Sequence, residues 1–397
     1  MGSAREEFSG SASKHGLESP MGHSTNLLGG VRVVDLTRLL PGGFCSSILR
    51  ELGADVLKVE EPGRGDYVRS MGSPNDGFSH AFSMLNVGKS SIGLNLKSRD
   101  GREILEKLIS DCDVLLESFR PGVMEKLGFS FARVRRINPR IVYCSISAFG
   151  KSSKFNLVPA HDLNFQALGG TLFAFGDKEP GLPFVQYADL CSGLYACIGI
   201  LAGLSCRARR AIHVDVPMFQ SLTSLLIVPL SRYLATGKDN RIGEGLLFGG
   251  SPFYGLYQTK DRKYIALGAV EESFQRNLLK ELGLQDLANA KGGRGKALVR
   301  QSLRKVFATK TRNRWADELI TKDVCATPVL SLAESIESPW GDSIFSGGVL
   351  KTPFARSRTK GKLVKAPTLG EQTEKILMKY GYSTNQISDM KRHGAVA

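Results

Sequence analysis

Paired cysteine motifs are missing from this chain. Its seven cysteines, at positions 45, 112, 144, 191, 197, 206 and 325, form no CxxC pair and no finger-like spacing, which argues against a disulfide framework or a metal site and for a reducing compartment. Long apolar runs are missing too. The longest, at 197–204 and 222–230, fall short of the roughly 20 residues that a bilayer crossing takes, so no membrane span is expected. The first 26 residues, rich in Ser and Gly with His15 and His23, lack the apolar stretch of a secretory signal and read as a disordered leader or tag. GxGxxG is absent, so Glu60 and Glu61 at the end of a predicted strand do not make a dinucleotide site. No repeat of solenoid period is present.

What is there points to a globular protein. A length of 397 residues exceeds that at which one core usually keeps growing, and predicts two domains. Apolar residues at 42% and charged residues at 23% fit a folded protein rather than a fibrous or disordered one. The net charge of +15 suits nucleic acid, an anionic membrane surface or a polyanionic small molecule. The densest basic run, 356–365, has no zinc-finger spacing or aromatic RNA-binding segment beside it, and nucleic acid is not expected as a partner.

Strand-like VRVVD (31–35), a helical stretch at 44–52 and ADVLKVE from Ala54 make a β-α-β unit, with Pro41-Gly42-Gly43 as a tight turn. Helices near 101–110 and 122–127 then alternate with strands at DVLLES and IVYCSIS. That alternation predicts an α/β fold with a mostly parallel, doubly wound sheet. From about Ala211 the character changes to apolar helix, a glycine-rich segment at 243–250, the strand KYIALGAV and amphipathic helices. The division expected is a large domain over 27–220, a small α+β domain over 221–330, and a return to the large domain over 331–397 with a helix near 373–380.

Three acidic positions and one histidine stand at predicted helix entries. PAHDLNFQALGG places His161 and Asp162 before an apolar helix; Asp189 opens LCSGLYACIGILAGL; Glu271 follows KYIALGAV. Each carboxylate suits helix capping or the helix dipole. Together with a histidine they also suit proton transfer at an acidified carbon, with N–H groups at Asp162 and Leu163 as donors to a developing oxyanion.

The ordered segments GVRVVDL, LGADVLKVEEPGRGD, SIGLNLKS, DVLLESFRPGVMEKLG, AHDLNFQALGG, YADL, HVDVPM, GGSPFYGLYQTKDRKYIALGAVEESF and CATPVL resemble the class III CoA-transferase superfamily nearly end to end, most of all its α-methylacyl-CoA racemases. The resemblance implies a Rossmann-like large domain, a small middle domain and two interlocked subunits in a homodimer. It implies that His161, Asp162 and Asp189 flank the α-carbon of a 2-methylacyl-CoA, with Glu271 orienting His161 from the small domain, within the chain or across the dimer. Racemisation would proceed through an enolate, with His161 and Asp189 exchanging base and acid roles. The substrate is an acyl-CoA thioester, with CoA part of the substrate and no separate cofactor. A CoA-transferase, in which Asp189 attacks the thioester, is the alternative; Val185, Glu61 and the segment DLCSG lean that way. Arg38, Arg64, Arg69, Lys89 and Lys126 are the candidate holders of the CoA phosphates, whereas Arg120 is expected to serve a turn. The cytoplasm is the default location, with mitochondrion and peroxisome open.

Overall fold

The computed structural model describes residues 26–71, 79–175, 179–206, 210–239, 242–290, 292–346, 349–354 and 365–397. Apart from Asn26 and Lys365, the expected leader and the basic run at 356–365 lie outside the described residues.

The chain first lays down β1 (Arg32–Asp35), α1 (Leu39–Glu51), β2 (Asp55–Glu60), α2 (His80–Asn86), β3 (Ser90–Gly93), α3 (Arg99–Asp111) and β4 (Val114–Glu117). It continues through α4 (Val123–Lys126), α5 (Phe131–Ile137), β5 (Val142–Ser147), α6 (Asp162–Leu168), α7 (Tyr187–Cys206) and β6 (Ile212–Pro217). The six strands are parallel, in the order β3-β2-β1-β4-β5-β6. That is the order of nucleotide-binding doubly wound sheets.

Both faces of this sheet are covered, which is why its strands read as unbroken apolar runs. Val34, Leu115 and Tyr143 face α3 and the closing helices Thr373–Lys379 and Thr384–Arg392. Val33, Val114, Leu116 and Cys144 face α1 and α7. The C-terminal segment is stitched onto edge strand β3: Ser91 N donates to Gln372 Oε1 at 2.7 Å, Gln372 N returns a bond to Ser91 O, and Gly93 N donates to Thr373 Oγ1.

One expectation needs correction here. Pro41-Gly42-Gly43 is not a turn but part of the opening of α1, which starts at Leu39. Proline is tolerated there because the first turn of a helix has no intrahelical acceptor for its N–H groups. The apolar run around 197–204 lies within α7, whose 20 residues could cross a membrane by length and composition alone, a test that the core helix of a folded domain also passes. Its Ala188, Cys191, Ser192, Gly193, Ala196, Cys197, Ile200 and Gly203 are buried within the fold.

After β6 come α8 (Met218–Thr223), α9 (Ile227–Thr236), β7 (Tyr254–Gln258), β8 (Tyr264–Gly268), α10 (Glu272–Glu281), α11 (Gly292–Phe307), α12 (Arg312–Leu319) and β9 (Ala326–Pro328). Strands β7, β8 and β9 form an antiparallel sheet. Tyr257, Ile265, Leu278, Leu303, Phe307 and Trp315 fill a core between it and α10 to α12.

Close packing of α7 depends on Gly193, where an added Cβ would stand 2.7 Å from the Pro41 carbonyl of α1. Gly193→Val is expected to cost about 1–3 kcal/mol by overpacking. A urea titration checks this against Gly268→Ala, a position where a new Cβ meets nothing and stability is expected to change little.

Candidate active site

The floor of the site is built from charges that the strands carry inward. At the end of β1, Asp35 is fully buried and accepts bonds from Thr37 N (2.9 Å), Thr37 Oγ1 (2.5 Å) and Ser46 Oγ (2.6 Å). Lys58 on β2 donates to the Thr37 carbonyl at 2.9 Å and pairs with Asp66 at 2.8 Å. Asp66 in turn accepts from Leu39 N at 3.0 Å, holding Leu39 in a left-handed backbone (φ 64°). A non-glycine residue adopts that conformation only at a cost of about 1–2 kcal/mol. Although burial opposes it, the Lys58 and Lys89 charges hold Asp35 below the usual carboxylate range.

Above this floor, a cleft of about 290 Å³ opens at the C-terminal ends of β1, β4 and β5. Arg38, Leu39 and Pro41 line it from the β1 side, the segment from Ser118 to Pro121 from the β4 side. In the observed strand order β1 and β4 are neighbours whose outgoing connections diverge, which is where a doubly wound sheet leaves its ligand crevice. The loop residues from Asn156 to His161, with Asn164, Asp189 and Met218, close the remaining wall. The structure thus brings His161 and Asp189 to one cleft.

Asp162 is placed differently from the pair it was expected to form with His161. Its side chain is buried, with Oδ1 accepting from Ala188 N at 2.7 Å and Asp189 N at 3.2 Å, and Oδ2 accepting from Gln166 Nε2 at 2.6 Å. It therefore caps the free N–H groups of the first turn of α7. Half-buried Asp189 is pushed up to about 7 by burial, and the Asp162 charge adds to the rise. His161 is exposed at the N-cap of α6, where its N–H donates to Asn164 Oδ1 at 3.0 Å. The helix expected to offer Asp162 and Leu163 N–H donors is only seven residues long.

Of the five predicted phosphate holders, Arg38 alone lines the cleft. Its guanidinium donates to Tyr67 Oη at 2.6 Å and Glu61 Oε2 at 3.1 Å. Arg64 lies over the ring of the same Tyr67 at 4.4 Å, and Lys126 is exposed on α4. Lys89 is buried, donating to Gly43 O, Ser46 Oγ and Asn86 Oδ1; burial pushes it down to about 8. Arg69 is held by both Glu60 oxygens at 2.7 Å and by the Pro367 carbonyl. Buried Lys89 is thus matched inside the fold, and half-buried Arg69 is engaged by Glu60 and Pro367. Glu271 stands exposed before α10 and does not line the cleft of its own chain. Arg120, expected only to serve a turn, lines the cleft and is exposed; its place at the carboxyl end of β4 was the available signal.

A family model for CoA-transferase family III matches residues 28–373. The chain belongs to CoA-transferase family III. Among its relatives in this family, the α-methylacyl-CoA racemase of Mus musculus is 33% identical over 378 residues, covering 91% of this chain and 95% of that one. The acetyl-CoA:oxalate CoA-transferase of Acetobacter aceti is 34% identical over 339 residues, covering 81% and 86%. A CaiB/BaiF family protein from Brucella suis shares the fold with a TM-score of 0.75 at 29% identity, over 89% of this chain and 98% of that one. Relatives of this chain thus include both a racemase and a CoA-transferase.

A folded pKa above the unfolded one means that ionising Asp189 weakens the fold, so the stability it contributes below about pH 4 is lost as the pH rises through about 7. Asp162→Asn keeps an acceptor for the Ala188 N–H and removes the charge. Carbon-13 NMR titration of the aspartate carboxyls is expected to show Asp189 ionising at lower pH in that variant; an unmoved titration would rule out Asp162 as a cause.

Proposed function

We propose that this family III enzyme interconverts the (2R) and (2S) epimers of a 2-methylacyl-CoA. The observation that supports it is the shared cleft of His161 and Asp189, two proton carriers of different type on separate elements at the sheet's switch point. Inversion next to a thioester needs a base on one face and an acid on the other. In one direction the His161 imidazole takes the proton from C2, the C–H electron pair moves into the enolate, and the Asp189 carboxyl returns a proton to the opposite face. In the other direction the roles reverse. Burial keeps a proton on Asp189 near neutral pH, which an acid needs.

In this reading Arg38, Arg64, Arg120 and Lys126 hold the CoA phosphates at the rim. Glu271 orients His161 from the second subunit of a homodimer. Exposed apolar side chains on α7 and α9, among them Ile198, Ile227 and Leu234, favour such self-association.

A second reading keeps the cleft and changes the role of Asp189: as an ionised nucleophile it attacks the thioester carbonyl, expels CoA thiolate and forms a mixed anhydride. The similarity to an oxalate CoA-transferase favours it. The two readings differ in the protons they need: racemisation needs one proton on the His161–Asp189 pair in either direction, whereas transfer needs Asp189 ionised. Racemisation in the direction that uses Asp189 as acid falls as the pH rises above about 7, whereas transfer rises through the same range.

The deciding experiment is incubation with (2R)- or (2S)-2-methylacyl-CoA in deuterated water with a free carboxylic acid present. Deuterium at C2 with loss of optical purity, and no CoA on the acceptor, is the expected result. CoA on the acceptor with C2 untouched would establish the transferase instead. His161→Ala and Asp189→Ala are each expected to lower epimerisation by about 10²-fold or more; near-parent rates in either folded variant would remove that residue from the mechanism.

A further inference from the structure

A second cavity, of about 630 Å³, lies away from the cleft and shares no lining residue with it. It is bounded by α5 and the chain entering β5, and by the residues that open β6: Arg135, Arg136 and Pro139 on one side, Arg210 and His213 on the other, with Phe131 between. These segments stand at the N-terminal ends of β5 and β6, the edge of the sheet opposite the cleft. The sequence supplies its charge twice, in RVRR (133–136) and in RARR (207–210), of which Arg210 alone is described.

What sets this cavity apart is unanswered positive charge. Arg133 on the same helix is paired with Glu106 at 2.9 Å, and Arg32 with Asp111. Arg135, Arg136 and Arg210 have no hydrogen bond or ion pair with any described residue, and among the described residues no acidic side chain lines the cavity. Three guanidiniums around one hollow repel one another until an anion joins them, and their planar donor forks suit phosphate oxygens. The hollow also has an aromatic wall: Phe131 stacks on His213 at 5.1 Å between centroids and on Tyr143 at 5.9 Å, which holds the ring in place. A volume of this size holds more than a lone phosphate.

We propose that this cavity binds a nucleoside polyphosphate, its phosphates held by Arg135, Arg136 and Arg210 and its base laid against Phe131. The site is independent of the thioester cleft and of either reaction assigned to it. Occupancy neutralises charge at the edge where β5 and β6 begin, and contributes part of the polyanion affinity that the chain's excess of basic residues implies.

Calorimetric titration of the full-length protein tests this with ATP, inorganic triphosphate and a single-stranded RNA 20-mer, each with and without saturating acyl-CoA. One ATP per chain is expected, unaffected by acyl-CoA and tighter than triphosphate. The surface double variant Arg136→Ala/Arg210→Ala is expected to weaken ATP about tenfold or more while acyl-CoA turnover stays at the parent level. Phe131→Leu is expected to weaken ATP and leave triphosphate unchanged. Competition by acyl-CoA, or parent-like ATP binding in the double variant, would overturn the site. Triphosphate binding as tight as ATP would overturn the nucleoside assignment, as would binding of RNA alone.

Discussion

Everything at the ligand edge of the large sheet rests on a set of charges buried beneath it. Asp35, Lys58, Glu60, Asp66 and Lys89 are all almost fully removed from solvent. Taking each from water costs several kcal/mol unless its lone pairs and protons are matched. They are matched: Lys58 joins Asp66 to the Thr37 carbonyl, Lys89 finds three acceptors beside Asp35, and Glu60 binds Arg69, Ser91 Oγ and the Asp66 N–H. Removing any one leaves a partner uncompensated in a low-dielectric interior. The network therefore fixes the loop from Thr37 to Leu39 and the segment from Glu61 to Arg69 in one arrangement. Arg38 and the strained Leu39 reach the cleft from that fixed base.

Asp189 is tied to the same foundation through packing. Gly193 lets α7 approach the Pro41 carbonyl, so the helix that carries Asp189 is seated against the helix whose start the buried network positions. Asp162 then reaches across from α6 to cap the first turn of α7, two N–H bonds that orient Asp189 and one negative charge that discourages its ionisation. Asp162 thus helps to position Asp189 and adds to the rise in proton affinity that burial causes. His161, a single position earlier, remains exposed on the other wall.

The same economy separates the arginines and lysines by task. Arg69 and Lys89 are consumed inside the fold by Glu60, Ser46 and Asn86, while Arg38 shares itself between Glu61, Tyr67 and the cleft. Arg135, Arg136 and Arg210 have no such internal obligation. A basic chain in this way carries at least two kinds of positive charge: charge that organises the protein, and charge presented to whatever arrives.

The sequence by itself determined the parallel α/β sheet, because alternating apolar strands and helices leave few other ways to bury both faces. Its ordered motifs also pointed to the family and to His161 and Asp189. Tertiary structure alone decided that Asp162 caps a helix 26 residues away, that Lys89 is an interior ion and Arg69 a partner of Glu60, that Pro41-Gly42-Gly43 is helical, and that Arg120 reaches the cleft. Each of those depends on a partner distant in the chain. A sequence read locally shows which groups carry charge or donate protons, and only folding determines which of them meet one another and which are left to meet a ligand.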